Sequence, residues 1–336
     1  MSTNTEALPH GGRIEAAKRR YPDAPRPFID LSTGINPVPY PIPDLPPSSF
    51  ARLPEPEALQ RLLEAAAAAY GAADPALLVA APGTQILISL LPWLRPRSRV
   101  AVLSPTYGEH EASWRSAGHD VTQVTTFAEM AEAEVAILCQ PNNPDGVRHA
   151  LADLLALADR LQTSGGLLLI DEAFADLEPD VDSLAPALPH PALVVLRSFG
   201  KTYGLAGVRL GFAIAGPAWA VRIAHALGPW AVSGAAIAIG QAALADRPWR
   251  DAAAFRLAAE SARLDRLLTA AGLTVLGGTR LFRLCASPAA TRHADALACA
   301  GILVRDFADQ PDRLRFGIPG EPAAWARLDI ALRALR

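Results

Sequence analysis

The sequence predicts an α/β protein with a large domain built on a mainly parallel seven-stranded sheet and a small α+β domain. Seven short runs rich in leucine and β-branched residues alternate with alanine-rich helical stretches between residues 76 and 215. After about residue 246 a long amphipathic helix precedes strands and helices that do not follow a plain βαβ order. The length of 336 residues exceeds one ordinary core and suits two unequal domains.

The large-domain strands are predicted from apolar runs that lack the polar alternation of half-buried strands. Such runs, spaced by helices, are typical of a parallel sheet covered on both faces. The predicted strands are residues 76–81, 99–103, 121–126, 134–139, 166–170, 192–197 and 209–215, with helices at 84–94, 107–117 and 150–164. The small domain is predicted to contain a helix at 249–271, strands in LTVLG, RLFRLCA, ILVRDF and RLRFGI, and helices at 291–300 and 321–335.

Composition shifts along the chain predict the domain boundaries. Prolines at positions 37, 39, 41, 43, 46 and 47 prevent regular structure throughout the first segment. We therefore expect an N-terminal arm that includes part of the small domain in 1–45, the large domain in 46–245, and the C-terminal small domain in 246–336.

Charge and cysteine content exclude several classes of protein. Lysine and arginine total 31 against 34 aspartate and glutamate, so the net charge is −3. This balance does not provide the excess of positive charge that is typical of proteins binding a nucleic-acid backbone. The three cysteines (Cys139, Cys285 and Cys299) are widely spaced, which argues against a disulfide framework or a metal site. We expect a cytoplasmic protein that binds a small molecule.

Two segments bear on membrane association. The N-terminus has no apolar region typical of a secretory signal. Residues 223–245 carry no formal charge and reach membrane-spanning length, but glycine, proline and polar residues interrupt them. The sequence favours a buried connection leading into a core helix, and no membrane partner.

Polar and small residues follow the predicted strands at the points where ligands collect in an open parallel sheet. Singly, such residues are most often turns or helix caps. Together they provide an anion cradle, an aromatic plate, an amide, a carboxylate, an amine and a guanidinium. The set comprises Gly83, Thr84, Tyr107, Asn143, Asp171, Ser198, Lys201 and Arg209.

This combination matches the chemistry that pyridoxal 5'-phosphate requires. Its aldehyde needs a lysine amine, its pyridine nitrogen needs a carboxylate, and its phosphate needs N–H, hydroxyl and guanidinium partners. Lys201 lies in the loop RSFGKTYGLAGVRLG, whose small side chains would let the cofactor approach the amine.

The motifs N-N-P-x-G (142–146), D-E-A (171–173), S-x-x-K (198–201) and R-L-G (209–211) occur in this order. They resemble the fold-type I, PLP-dependent transferase-like superfamily, the histidinol-phosphate aminotransferase branch in particular, over nearly the whole chain. The resemblance implies a homodimer. It also implies that Lys201 forms the Schiff base and moves protons, that Asp171 pairs with the pyridinium nitrogen, and that Asn143 binds the ring hydroxyl.

The resemblance also implies roles for the remaining members of the set. Tyr107 would stack on the cofactor ring. The cofactor phosphate would be held by Gly83, Thr84, Ser198 and Arg209.

Motifs near the two termini bear on the reaction. HGG (10–12), DLSTGINP (30–37), GPWAVSG (228–234), GILVRDF (301–307) and RLRFGIP (313–319) resemble the L-threonine phosphate decarboxylases of cobalamin biosynthesis more than the aminotransferases. That resemblance implies a substrate with an amine, a carboxylate and a phosphate. Arginine side chains suit such a substrate, because a guanidinium group can bind a carboxylate or a phosphate with two hydrogen bonds. The implied substrate-binding residues are His10, Gly11, Gly12, Ile35, Asn36, Asn143, Arg305 and Arg315.

Three positions depart from the aminotransferase pattern. Phe174 stands where many aminotransferases have a tyrosine that binds the ring hydroxyl. Leu53 stands where that branch has a tyrosine reaching the cofactor phosphate of the neighbouring subunit, and Gly34 stands where other decarboxylases can have asparagine.

Three functions stay open from the sequence. The first is decarboxylation of L-threonine phosphate, with L-serine phosphate as a second possible substrate because one methyl group is weakly discriminated. The second is transamination of a phosphorylated amino substrate. The third, a non-catalytic PLP-binding or regulatory protein, is disfavoured because Lys201 is intact and no DNA-binding extension is present.

Overall fold

The computed structural model describes residues 10–335. The chain divides into two compact units, of which the larger is Val38–Arg256. The smaller unit combines the segment ending at Pro37 with the chain from Leu257 onward.

The described residues form twelve strands, numbered in chain order. They are β1 (Ile29–Leu31), β2 (Leu78–Ala81), β3 (Arg99–Leu103), β4 (Asp120–Val124), β5 (Val135–Cys139), β6 (Leu167–Asp171), β7 (Leu193–Ser198), β8 (Gly211–Ala215), β9 (Thr274–Thr279), β10 (Phe282–Ala286), β11 (Ile302–Asp306) and β12 (Arg313–Gly317).

The same part of the chain forms twelve α-helices. They are α1 (Ile14–Arg20), α2 (Ser48–Ala51), α3 (Pro56–Tyr70), α4 (Thr84–Leu90), α5 (Glu109–Ser116), α6 (Leu151–Thr163), α7 (Phe199–Thr202), α8 (Pro217–Leu227), α9 (Gly234–Ala245), α10 (Arg247–Ala270), α11 (Ala290–Cys299) and α12 (Pro322–Arg333).

The sheet of the larger unit has seven strands in the order β2-β8-β7-β6-β5-β3-β4. Strand β8 is antiparallel to both neighbours, and the other pairs are parallel. The mainly parallel seven-stranded sheet is therefore as predicted, and the predicted α/β class is confirmed.

Alternate residues of the central strands enter two separate hydrophobic clusters. In β6, Leu168 and Ile170 belong to one cluster, whereas Leu167 and Leu169 belong to the other. Because successive side chains of a strand point to opposite faces, both faces of this sheet are covered. This double burial explains why the strands are continuous apolar runs.

The smaller unit contains a five-stranded mixed sheet in the order β1-β11-β12-β10-β9. Strand β1 is parallel to β11, and the remaining pairs are antiparallel. Arg327 of α12 ties the N-terminal segment to this unit by donating hydrogen bonds to the carbonyl oxygens of Pro25, Pro27, Ala300 and Gly301. The segment predicted as an arm thus contributes a strand.

The uncharged segment 223–245 is divided between two helices. Helix α8 ends before Gly228, which has a positive φ of 73°, and the Ser233 side chain caps the start of α9. Ile237 and Ile239 of α9 are buried in the core. No helix within residues 10–335 is long and apolar enough to cross a membrane.

Candidate active site

One edge of the large sheet collects most of the predicted site residues. Strands β3, β5, β6 and β7 are parallel, and β2 shares their direction because β8 is antiparallel to both β2 and β7. Their carboxyl ends therefore meet at one edge, and the start of β8 lies there too. This edge carries Gly83, Thr84, Tyr107, Asn143, Asp171, Ser198, Lys201 and Arg209.

Asp171 ends β6 and is held through both carboxylate oxygens. The side chain is buried, with 5% of the residue exposed. Its Oδ1 accepts a hydrogen bond from the Ala173 amide at 3.0 Å, and its Oδ2 accepts one from His110 Nε2 at 3.0 Å. A carboxylate fixed in this way can face a cationic ring nitrogen without rearrangement.

His110 is a site residue that the sequence reasoning missed. It is fully buried in α5, beside Asp171 and the Cys139 thiol. Burial by itself would lower the pKa of His110, but the hydrogen bond to Asp171 and the neighbouring Cys139 together raise that pKa to about 10. The imidazolium and the Asp171 carboxylate thus form a buried ion pair. No local pattern in the sequence indicated this role, because the partner Asp171 lies 61 residues later in the chain.

The raised pKa of His110 predicts a pH-dependent stability. A group protonated more readily in the folded state stabilises fully below its unfolded pKa, near 6.5, and this stabilisation is lost as pH rises towards about 10. In protein freed of cofactor, the free energy of unfolding should therefore decline between these values. The free energy of unfolding of His110→Gln, measured by urea denaturation, should not show this decline. His225→Gln, at an exposed position, should still show it. Identical pH profiles for His110→Gln and the unsubstituted protein would contradict the assignment.

The turn after β2 and the start of β8 interlock at this edge. Gly83 has a φ of 86°, and a Cβ added to it would lie 2.7 Å from Nη2 of Arg209. A Cβ added to Gly211 would lie 2.6 Å from the Thr84 nitrogen. Glycine is needed at both positions so that the guanidinium and the Gly83–Thr84 backbone stay adjacent, which forms a cradle suited to an anion.

Tyr107 is oriented by its neighbours. Its hydroxyl donates to Gln85 Oε1 at 2.9 Å, and the Gln85 amide donates to Glu109 Oε2 at 3.1 Å. Burial, followed by the nearby Glu109 and Asp171 carboxylates, raises the pKa of Tyr107 to about 12. The ring is therefore held neutral and in place, as stacking on a flat ligand requires.

The two asparagines of the N-N-P-x-G motif differ in their surroundings. Asn142 donates to the Pro105 carbonyl and to Asp145, and it accepts a hydrogen bond from Thr106 Oγ1. These bonds fix the loop itself. Asn143 is half-buried next to it, at the same edge of the sheet.

Ser198 and Lys201 lie at the end of β7 and in the short helix α7. The Lys201 Nζ atom lies 5.9 Å from the centre of the Phe174 ring. A Cβ added to Gly200 would lie 2.7 Å from Cα of Ala206, so the glycine beside the lysine allows the chain to pack on itself. The small residues of this loop thus have a packing role that sequence reasoning did not identify.

A buried ion-pair cluster behind the edge was also missed. Arg197 forms ion pairs with Glu172 and Asp176, and Thr202 donates to Asp176 at 3.0 Å. The Arg197 guanidinium also lies over the Tyr70 ring, 4.6 Å from the ring centroid. Glu172 follows Asp171 and Arg197 precedes Ser198, so the pair links the ends of β6 and β7.

The smaller unit carries the remaining predicted residues. Arg305 and Arg315 are direct cross-strand partners on β11 and β12. Arg315 is buried, and its Nη2 donates to the Ser32 carbonyl at 2.9 Å. Burial, and then the charge of Arg305, lowers the pKa of Arg315 to about 10, although Asp30 opposes this shift. The two guanidinium groups thus bring two positive charges to neighbouring positions of the small sheet.

The other predicted substrate residues differ in exposure. Asn36 is buried, and Ile35 and Gly11 are half-buried. His10 and Gly12 are exposed at the start of the described chain. All five residues belong to the same unit as Arg305 and Arg315.

The large-unit residues fit pyridoxal phosphate on grounds of their own chemistry. Asp171 is a buried carboxylate that matches a protonated ring nitrogen, and a glycine-lined cradle beside Arg209 suits the phosphate. Lys201 supplies the amine that the aldehyde requires.

Comparison with known proteins shows the family. The model of the family "Aminotransferase class I and II" matches residues 29–329. The chain is 44% identical over 328 residues to a threonine-phosphate decarboxylase of Pseudomonas aeruginosa, covering 97% of each chain. It is 33% identical over 257 residues to a histidinol-phosphate aminotransferase of Symbiobacterium thermophilum, covering 72% of this chain and 71% of the relative.

Solved structures share the fold. The histidinol-phosphate aminotransferase of Sinorhizobium meliloti, in complex with pyridoxal-5'-phosphate, matches 100% of this chain and 98% of its own, with a TM-score of 0.80 and 23% identity. The L-threonine-O-3-phosphate decarboxylase of Porphyromonas gingivalis matches 91% of this chain and 99% of its own, with a TM-score of 0.74 and 21% identity. By sequence and by fold, this chain belongs to the class I and II aminotransferase family.

Proposed function

We propose that this chain is a PLP-dependent enzyme that decarboxylates L-threonine phosphate to (R)-1-aminopropan-2-yl phosphate and CO2. The cross-strand pair Arg305 and Arg315 carries the choice of substrate, because two guanidinium groups side by side suit a ligand with more than one negative charge. The relative with 44% identity, named threonine-phosphate decarboxylase, supports the same choice. The terminal motifs imply a place in cobalamin biosynthesis.

The large unit would bind the cofactor. Lys201 would form the covalent link, Asp171 would face the pyridinium nitrogen, Asn143 would contact the ring hydroxyl and Tyr107 would stack on the ring. The cofactor phosphate would be held by Gly83, Thr84, Ser198 and Arg209. When bound, PLP supplies an electron sink for the pair left at Cα.

The small unit would bind the acidic groups of the substrate. Arg315 is proposed to grip the carboxylate, and Arg305 to contribute to carboxylate or phosphate binding. His10 and the Gly11 and Gly12 amides would bind the substrate phosphate. Ile35 and Asn36 complete the proposed set, with Asn143 of the large unit.

Orientation of the substrate would select the reaction. Arg305 and Arg315 would fix the orientation of the substrate carboxylate, and that orientation would decide which bond at Cα breaks. Loss of CO2 would leave its electron pair at Cα, and Lys201 or a water would supply the proton that Cα then takes up. Asp171, held in place by its hydrogen bond to His110, would face the ring nitrogen of the cofactor.

The test is to mix L-threonine phosphate with PLP-loaded protein in the absence of any keto acid. CO2 release and cofactor absorbance are followed together. Repeated turnover with CO2 release and recovery of the starting spectrum is expected. A parallel assay with L-serine phosphate would measure the contribution of the methyl group.

Two other results would each exclude the decarboxylase. A single-turnover change to the pyridoxamine form without CO2, reversed by a keto acid, would indicate an aminotransferase. No CO2 and no spectral change would mean that the substrate is a different one.

We also propose that the chain forms a homodimer. Phe50 and Leu53 near α2 are 71% and 62% exposed, and Trp230 before α9 is 59% exposed. Helix α2 lies against the start of α9, since a Cβ on Gly234 would lie 2.7 Å from the Ser49 carbonyl oxygen. An apolar surface of this kind fits contact with a second copy. Analytical ultracentrifugation at micromolar concentration should give twice the chain mass, and a monomer would refute the proposal.

A cytoplasmic location is proposed on the basis of the thiols. Cys139, Cys285 and Cys299 are all free. Free cysteines are typical of proteins from a reducing compartment. Fractionation of the producing cells would test the location.

A further inference from the structure

The N-terminal HGG segment and the buried Arg315 are joined to one residue, Ser32. Gly12 donates its backbone N–H to Ser32 Oγ at 2.8 Å, and Arg315 Nη2 donates to the Ser32 carbonyl at 2.9 Å. Gly11 packs so closely on the same residue that an added Cβ would lie 2.5 Å from the Ser32 carbonyl oxygen. Ser32 is itself buried, with 5% of its surface exposed.

Asp30 in turn fixes Ser32 at two atoms. Asp30 Oδ1 accepts a hydrogen bond from the Ser32 amide at 2.9 Å and one from the Ser32 hydroxyl at 2.5 Å. A serine hydroxyl has one proton, so the oxygen that donates to Asp30 must accept from Gly12. The direction of every bond is thereby set, from Gly12 through Ser32 to the Asp30 carboxylate.

Charge supports the same arrangement. Strand β1 carries Asp30 beside β11, where Asp30 is in register with Leu303, two residues before Arg305. Asp30 also opposes the loss of the Arg315 proton that burial and Arg305 promote. A carboxylate beside a phosphate site would by charge alone weaken anion binding. Its presence here therefore calls for a role in geometry.

We propose that Asp30 and Ser32 are positioning residues that fix the Gly11–Gly12 segment and the Arg315 guanidinium relative to each other, so that both can bind the phosphorylated substrate. This inference rests on the proposed function for the identity of the substrate. Neither residue contacts the ligand in this proposal. Both act by fixing the groups that do.

The test compares Ser32→Ala, Asp30→Ala, the double variant and Asp306→Ala, all as PLP-loaded protein. Asp306 is an exposed acid next to Arg305, so its variant controls for loss of negative charge. Cofactor absorbance and thermal unfolding verify that each variant is folded and loaded. The readouts are the Kd of inorganic phosphate by calorimetry and the KM and kcat for L-threonine phosphate.

Ser32→Ala should raise the Kd and the KM about tenfold, the effect of one lost hydrogen bond in an anion site, while kcat stays within about twofold. Asp30→Ala should weaken phosphate binding by a similar factor, and Asp306→Ala should not. If Asp30 acts through Ser32, the phosphate Kd of the double variant should lie within about threefold of the Kd of the single variant that binds more weakly.

Three results would overturn the inference. Tighter phosphate binding by Asp30→Ala would reveal a purely electrostatic effect. Unchanged Kd and KM in folded Ser32→Ala, or multiplied effects of about a hundredfold in the double variant, would show that the two residues do not act as one unit. Because phosphate binding is measured without turnover, a protein that fails to release CO2 would refute the proposed function alone.

Discussion

Replacing Lys201 by alanine should lower the turnover of L-threonine phosphate by at least about 10⁴-fold, because it removes the amine proposed to form the covalent link with the cofactor and to move the proton at Cα. The change removes a half-buried side chain at the end of the short helix α7. The ion pairs of Arg197 and the packing of Gly200 on Ala206 do not involve the amine. The variant should therefore fold normally and still bind the cofactor without a covalent link.

The chain allows an unusually clear control for this experiment. It contains two lysines, Lys18 and Lys201. Lys18 lies in α1 and pairs with Glu15. Borohydride reduction of the loaded protein followed by peptide mass spectrometry should place the cofactor mass on the Lys201 peptide. Lys18→Ala should keep full activity and labelling, and cofactor mass on the Lys18 peptide would contradict the assignment.

Asp171→Asn should reduce kcat by roughly 10²–10³-fold, the cost of removing one electrostatic partner of the developing charge. The amide keeps the shape of the carboxylate and one oxygen for the Ala173 amide, but it no longer carries charge. The pyridine nitrogen would then lose its proton at neutral pH. An ultraviolet-visible pH titration of the bound cofactor, together with kcat, measures both effects.

Asp153→Asn is the matched control for Asp171→Asn, because Asp153 lies at an exposed position of α6. It should leave kcat and the cofactor spectrum unchanged. The assignment of Asp171 would be wrong if Asp171→Asn kept kcat within a few-fold of the unsubstituted protein while the cofactor was fully bound.

Much of the fold could be predicted because burial leaves a local signal. Strands covered on both faces are continuous apolar runs, so all seven large-sheet strands could be placed within two residues of their observed bounds, for example 134–139 against Val135–Cys139. The antiparallel direction of β8 could not be predicted, since direction depends on which strands become neighbours. The same applies to β1, which pairs in register with a strand more than 270 residues later.

The candidate site was predictable where a residue follows a strand. Asp171 and Lys201 were found in this way. His110, Arg197 and Ser32 could not be found, because each acts through a partner that is distant in sequence: Asp171, Glu172 and Gly12 respectively. Such pairs depend on tertiary neighbours and carry no local pattern. The glycines next to Lys201 and Arg209 were seen, but their packing partners were not.

The ion pairs of Arg197 have a consequence for how the enzyme acquires its cofactor. They are satisfied entirely by protein groups, Glu172 and Asp176, and they brace the ends of the two strands that carry Asp171 and Ser198. These two strand ends are therefore held in place by the protein itself, so binding the cofactor should cost little ordering entropy there. We expect that the cofactor can be removed and restored without refolding of this part of the sheet.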